Sequence, residues 1–144
     1  MKQKDNGFIN LSGVIRIIAI TFGVLILVAL IFIVSRTTVL AKQAFRDAKN
    51  VYLALSSAEI EYYSQGKSIY DPSKFDGLSD GVAEMVKQLA DNEGTYRIVS
   101  YDSKKHQIRE MIYTNGNYYV TFKLDNDSRE WRVKYLIPIY RYVD

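Results

Sequence analysis

Few side chains in this sequence have the type and spacing that chemistry requires. The single histidine, His106, stands in a turn rich in Lys and Asp, which predicts a solvated turn residue rather than a general base. Asp125-Asn126-Asp127 begins like a calcium loop, but the Gly and the distant Glu of an EF-hand are missing, so a β-turn is predicted. Glu59 and Glu61 stand two residues apart on a predicted helix, where their side chains diverge and form no acid–base pair.

The composition excludes further classes of site. The absence of cysteine excludes disulfides, thiolate metal sites, iron–sulfur clusters and cysteine nucleophiles, and it leaves the compartment open. The sequence contains no phosphate-binding glycine loop, nucleophile elbow or His-Glu-x-x-His motif. It therefore predicts no enzyme, no metal and no cofactor, with a tethered enzyme or enzyme accessory domain as a weaker alternative.

The charge is distributed unevenly along the 144 residues. Of the formal net charge of +3, residues 1–16 supply +2, and residues 36–144 hold sixteen basic against fifteen acidic residues. Because the part of the chain that folds into a domain is almost neutral, we expect no nucleic-acid partner.

An uncharged apolar run indicates a membrane span. Ile17–Val34 comprises eighteen residues without a charge, bracketed by Arg16 and Arg36. As a helix it rises about 27 Å, close to the thickness of a bilayer's hydrocarbon core. A cleaved secretory signal is the main competitor, but Ser35-Arg36-Thr37-Thr38 matches a cleavage site poorly, so the span is predicted to be retained. Basic residues on the two sides of the run are nearly balanced, so they leave its orientation undecided.

The helix is predicted to continue beyond the span. Residues 36–64 contain no Gly or Pro, and Gln65-Gly66 supplies a stop signal. Apolar side chains recur there at steps of three and four residues, which predicts a stripe that packs against a core. The stripe consists of Leu40, Ala44, Ala48, Val51, Leu55, Ala58 and Tyr62.

The remainder of the chain predicts a short helix followed by strands. Ser79 is the expected N-cap of the short helix, and Gly94 follows its end. Four strands then form an antiparallel meander, with a hairpin at Asn115-Gly116 and an end at Pro138. One face of this sheet is expected to pack on the helix stripe. The predicted sheet core is Tyr118, Val120, Phe122, Trp131, Val133 and Tyr135, with Ile137 on the same face.

The predicted fold class is α+β. One very long N-terminal helix, membrane-spanning in its first half, packs through its second half on a four-stranded antiparallel sheet, with a short extra helix. Tyr101, Tyr113 and Tyr119 lie off the predicted core face, where they are either an adhesive surface or ordinary exposed strand residues.

The N-terminal residues carry a family resemblance. Lys2-Gln-Lys4-Asp-Asn-Gly7-Phe8, followed almost at once by a membrane-length helix, resembles the leader of a type IV pilin or pseudopilin precursor. In that family a short basic leader ends in Gly, a membrane peptidase cuts after it on the cytoplasmic side, and the new N-terminal residue, commonly Phe, is methylated. The long helix and the antiparallel sheet also resemble the family's architecture.

The resemblance implies a division of the chain and a set of partners. Residues 1–7 would be the leader with charges at Lys2 and Lys4, residues 8–35 the membrane and filament-core helix, and residues 36–144 an extracytoplasmic domain. Gly7 and Phe8 would flank the processed bond. The partners would be the lipid bilayer, the prepilin peptidase, the membrane assembly platform and other pilin-like subunits. The location would be the bacterial cytoplasmic membrane, with the N-terminus inside, or a cell-surface filament.

Two positions depart from the family pattern. Most members have Glu at the fifth mature position, where it pairs with a neighbouring subunit's N-terminal amine, and this sequence has Ser12. Arg16 places a cation where the family is normally apolar. The resemblance therefore points to a minor subunit of a type IV pilus, competence or type II secretion-like filament. The alternative is a single-pass, membrane-tethered binding or sensor domain that does not polymerise.

Overall fold

The fold is α+β, as the sequence predicts. The computed structural model describes residues 11–91, 93–126 and 128–136. Two helices, α1 (Leu11–Ser64) and α2 (Val82–Leu89), precede four strands. The strands are β1 (Thr95–Asp102), β2 (Gln107–Asn115), β3 (Tyr118–Asp125) and β4 (Ser128–Tyr135). They form one antiparallel sheet in the order β1-β2-β3-β4, which confirms the meander.

The chain divides into two compact units. The first is Met1–Val39 and the second is Leu40–Asp144, so that α1 contributes residues to both. The sequence predicts this boundary after Ser35, four residues earlier.

Helix α1 ends where the sequence predicts. The Lys67 N–H donates to the Tyr62 carbonyl at 2.9 Å, and the Gly66 N–H donates to the Tyr63 carbonyl at 2.9 Å. This pair of bonds is a Schellman motif with Gly66 at its left-handed position, where φ is +71°. A side chain at Gly66 would strain that conformation, and this explains why glycine stops the helix here.

The core of the second unit lies between α1 and the sheet. Ala44, Ala48, Val51, Leu55 and Ala58 of the predicted stripe are buried. Tyr62 is half-buried against the same cluster. Leu40, in contrast, is 39% exposed, because it is the first residue of this unit and lies one turn before the buried part of the stripe.

The predicted sheet core is correct for β3 and wrong for the end of β4. Tyr118, Val120 and Phe122 are buried, and Trp131 is half-buried against them. Val133 is 39% exposed and Tyr135 is 53% exposed. The reason is that β4 is an edge strand, paired with β3 alone among the described residues. The predicted positions Ile137 and Pro138 lie outside those residues.

The connections differ from the sequence-based predictions in two places. The N-cap of α2 is Gly81 at φ +83°, not Ser79, whose backbone carbonyl accepts the Val82 N–H instead. The β2–β3 hairpin is confirmed, but Asn115 pairs with Tyr118, so Gly116 occupies the first central position of the turn, at φ +54°. Type II′ hairpins place glycine at this position.

Candidate functional site

The first candidate is the apolar surface of the first unit. From Ile15 to Val34 every large apolar side chain is between 47% and 66% exposed. The Thr21 hydroxyl donates to the Ile17 carbonyl at 2.9 Å, so the polar group within the run is satisfied inside the helix. By length and composition this helix can cross a membrane. The chain is therefore consistent with a single-pass membrane protein.

The predicted leader lies outside the described residues. Lys2, Lys4, Gly7 and Phe8 all precede residue 11, so the structure describes none of them. Ser12 and Arg16 belong to α1, and both side chains are exposed. Both positions that depart from the pilin pattern therefore lie on the helical surface, just before the apolar run.

The second candidate is a cluster of titratable side chains around Glu59. This residue is only 7% exposed, and its Oε1 accepts a hydrogen bond from the Tyr101 hydroxyl at 2.5 Å. The His106 Nδ1 lies 3.2 Å from the same oxygen. Tyr63 covers His106, with 4.5 Å between the ring centres. Residues from α1, β1 and the β1–β2 turn therefore meet at one buried carboxylate.

The electrostatics of the cluster favour a fixed proton on Tyr101. Burial, followed by the hydrogen bond to Glu59, holds the pKa of Tyr101 well above its usual range. At the end of β1 the pKa of Asp102 is lowered, first by the hydrogen bond from the Arg109 guanidinium at 2.9 Å and then by that from the Lys105 N–H. A phenol that keeps its proton is a hydrogen-bond donor and does not act as a base near neutral pH. The geometry thus supports a structural attachment of the β1–β2 turn to α1.

The prediction for His106 was partly wrong. His106 does lie in an exposed turn, at φ +48°, but it contacts Glu59 and Tyr63 and is not simply solvated. The sequence contains a weak signal for this cluster, since Glu59 lies four residues after Leu55 and so borders the buried stripe. Glu61 is exposed, which confirms that Glu59 and Glu61 diverge.

The tyrosines offer less free surface than the sequence suggests. Tyr113 is fully buried, and Tyr101 is bonded to Glu59. Tyr119 alone of the three lies on the sheet face away from α1, where it lines an open cavity of about 660 Å³. Phe75, which is 89% exposed, forms part of the rim of this cavity, and the Arg97 guanidinium lies 5.3 Å from its ring centre.

The described residues bring together no group of three or more His, Asp or Glu side chains that can hold a metal ion. Asn126 is at φ +43° between the paired residues Asp125 and Ser128, as at the first central position of a type I′ or II′ hairpin turn, while Asp127 lies outside the described residues. Comparison of the chain with protein-family models, curated proteins and solved structures finds no match.

Proposed function

We propose that this protein is a membrane-anchored structural subunit of the type IV pilin kind, a minor subunit that performs no catalysis. The observation that carries the proposal is the exposed apolar surface of Ile17–Val34, on a helix whose later part contributes to the core of a folded domain. Such a surface requires a non-aqueous partner, because a side chain of this type is stabilised by about 2 kcal/mol when it leaves water. A bilayer supplies that partner before assembly, and equivalent helices supply it in a filament.

The N-terminal residues support processing of the pilin type. Gly7-Phe8 follows two lysines and precedes a membrane-length helix, as in prepilin leaders. Cleavage on the cytoplasmic side would place the N-terminus inside and the second unit outside. The second unit, with its cavity beside Tyr119, would then be available to partners of the filament.

The test is the intact mass and the N-terminal residue of the protein recovered from membranes of its own host. A chain that begins at Phe8 with a methylated amine supports the proposal, and a chain that retains Lys2 and Lys4 refutes it. Deletion of Gly7 should abolish processing and assembly. Deletion of Asn6 is the matched control, because it shortens the leader equally and retains the Gly7–Phe8 bond.

A membrane-tethered binding or sensor domain that does not polymerise is the second candidate. Arg16 favours it, because a cation just before the apolar run reaches the lipid interface easily but requires a partner inside a packed filament. In this case the chain would keep its remaining N-terminal residues after deletion of Gly7, and its location and binding would be unchanged.

A further inference from the structure

The cavity beside Tyr119 extends from the outer face of the sheet to the edge of β1. Arg97 and Ile112 lie with Tyr119 on the face away from α1, whereas Tyr96 packs against the core cluster on the opposite face. Neighbouring residues of a strand project to opposite faces, so a cavity lined by both Tyr96 and Arg97 extends past the edge of the strand. We name this cavity the β1 cleft; its lining includes Phe75, Asp76, Tyr96, Arg97, Ile112 and Tyr119.

The edge of β1 carries unpaired backbone groups at the cleft. The Ile98 N–H donates to the Asp76 carbonyl at 2.9 Å, so the loop before α2 covers the edge at Ile98. Backbone groups of alternate residues in an antiparallel strand point the same way, so the N–H and C=O of Tyr96 also point away from β2. Among the described residues, no backbone group beyond the sheet bonds to them. Tyr96 therefore offers one donor and one acceptor at this edge.

The loop opposite this edge is fastened in place. Tyr70 and Leu78 form a β-bridge, and the Asp76 Oδ1 accepts a hydrogen bond from the Leu78 N–H at 3.1 Å. Gly77, at φ +69°, lies so close to β1 that a Cβ atom there would be 2.5 Å from the Ile98 carbonyl oxygen. The Asp76 carboxylate thus has a partner within its own loop, and the cleft is already formed in the free chain.

Arg97 supplies a positive charge to the β1 cleft. Its guanidinium lies 5.3 Å from the ring centre of Phe75, a cation–π contact that orients it. Among the described residues, no carboxylate forms an ion pair with Arg97. Ile112 is buried beside it and Phe75 is 89% exposed, so an apolar floor and an aromatic rim flank the cation. A carboxylate matches such a guanidinium in charge and in its two-pronged geometry.

We infer that the β1 cleft binds an extended peptide segment of a partner protein, with an acidic side chain between apolar ones. The peptide adds to the edge of β1 through the backbone groups of Tyr96. Its side chains alternate, so the acidic one meets Arg97 on the outer face while its apolar neighbours meet Tyr96 and Ala83. The paired backbone donor and acceptor favour a peptide over an acidic sugar. This inference concerns the second unit alone and does not depend on anchorage, cleavage or polymerisation.

The test is a nuclear magnetic resonance titration of the full, isotope-labelled chain in detergent micelles. The probe is acetyl-Leu-Asp-Leu-amide, compared with acetyl-Leu-Asn-Leu-amide and with galacturonate. The acidic peptide should bind about tenfold more tightly than the Asn peptide and slow exchange of the Tyr96 amide proton several-fold. Arg97→Gln should remove this preference. Arg132→Gln is the matched control and should retain it, because Arg132 lies on the same face but pairs with Glu130.

Three other results would overturn the inference. The first is absence of binding, or an affinity for the acidic peptide that Asn in the peptide or Arg97→Gln leaves unchanged. The second is binding without protection of the Tyr96 amide proton, because the peptide would then not add to β1. The third is galacturonate that binds as tightly as the acidic peptide, because the cleft would then be a site for acidic sugars. Each of these results would leave the membrane anchorage standing, since the N-terminal residue and intact mass test that separately.

Discussion

The bond between Tyr101 and Glu59 is the contact whose loss is most informative. Tyr101→Phe retains the ring and its stacking on Tyr70 at 5.2 Å and removes only the hydroxyl that donates to Glu59 at 2.5 Å. The Oε2 atom of Glu59 is already buried without a hydrogen-bond partner among the described residues. After the substitution, the carboxylate therefore retains only His106.

A hydrogen bond to a charged group contributes about 1.5–3 kcal/mol, so Tyr101→Phe should lower the free energy of unfolding by about 2 kcal/mol. For a domain of this size the melting temperature should fall by about 8 °C. The assay is thermal and urea unfolding of the full chain in detergent, followed by circular dichroism. Tyr119→Phe is the control, since it removes a hydroxyl from the opposite face of the sheet and should change stability by less than about 0.5 kcal/mol.

A double-mutant cycle separates this bond from general effects of the substitution. In a Glu59→Leu background the Tyr101 hydroxyl has lost its close acceptor and keeps only a long contact, 3.5 Å, with the His106 Nδ1. Tyr101→Phe should then change stability by only about 0.5 kcal/mol. An equal loss in both backgrounds, or a loss no larger than that of Tyr119→Phe, would refute the view that the cluster fastens the turn to the helix.

The other predictions concern the core, the helix end and alkaline pH. Leu55→Ala should lower the free energy of unfolding by about 3 kcal/mol in a urea titration, because Leu55 is fully buried. Leu53 lies on the same helix and is 56% exposed, so Leu53→Ala should change this free energy by about 0.5 kcal/mol or less. Gly66→Ala should cost about 1 kcal/mol through its positive φ, and Gly66→Asn should cost less; equal melting temperatures would contradict this. Burial raises the pKa of Tyr101 and of Tyr113, so the folded domain holds these protons more tightly and its stability should fall as pH rises above about 10; a free energy of unfolding that stays constant above this pH would contradict this.

The sequence predicts the helices and strands of this fold well, because the residue patterns that favour each element also mark the side chains that the folded domain buries. The steps of three and four between Ala44 and Ala58 correspond to a face that is in fact buried, and Gly66 ends α1 through its backbone conformation alone. Strand alternation works for β3, whose neighbours on both sides complete the sheet. It fails for Val133 and Tyr135, since alternation identifies a face but not whether a strand lies at an edge.

The Glu59 cluster was not predictable from local patterns. Tyr101 and His106 lie 42 and 47 residues after Glu59 in the sequence, and only the tertiary fold brings them to its carboxylate. A polar residue at the border of an apolar stripe is usually solvated, so Glu59 alone gives little warning. The prediction of Ser79 as the N-cap of α2 was also wrong. That helix begins after Gly81, which has a left-handed backbone conformation and no side-chain oxygen to cap the helix.

Arg16 is the residue on which the two proposed functions diverge. Arg16 and Arg36 stand twenty residues apart, which on a helix is about 30 Å, the thickness of the hydrocarbon core. In a bilayer both cations therefore reach the two headgroup layers, and the apolar run between them is matched to lipid. In a filament core Arg16 would leave the headgroups and need a carboxylate as its partner. Its own helix offers none one turn earlier, because position 12 is serine. A polymerising subunit must then find the counter-charge on a different subunit, which restricts it to particular neighbours. That restriction suits a minor subunit with a defined place and is at odds with a repeating major subunit packed among identical copies.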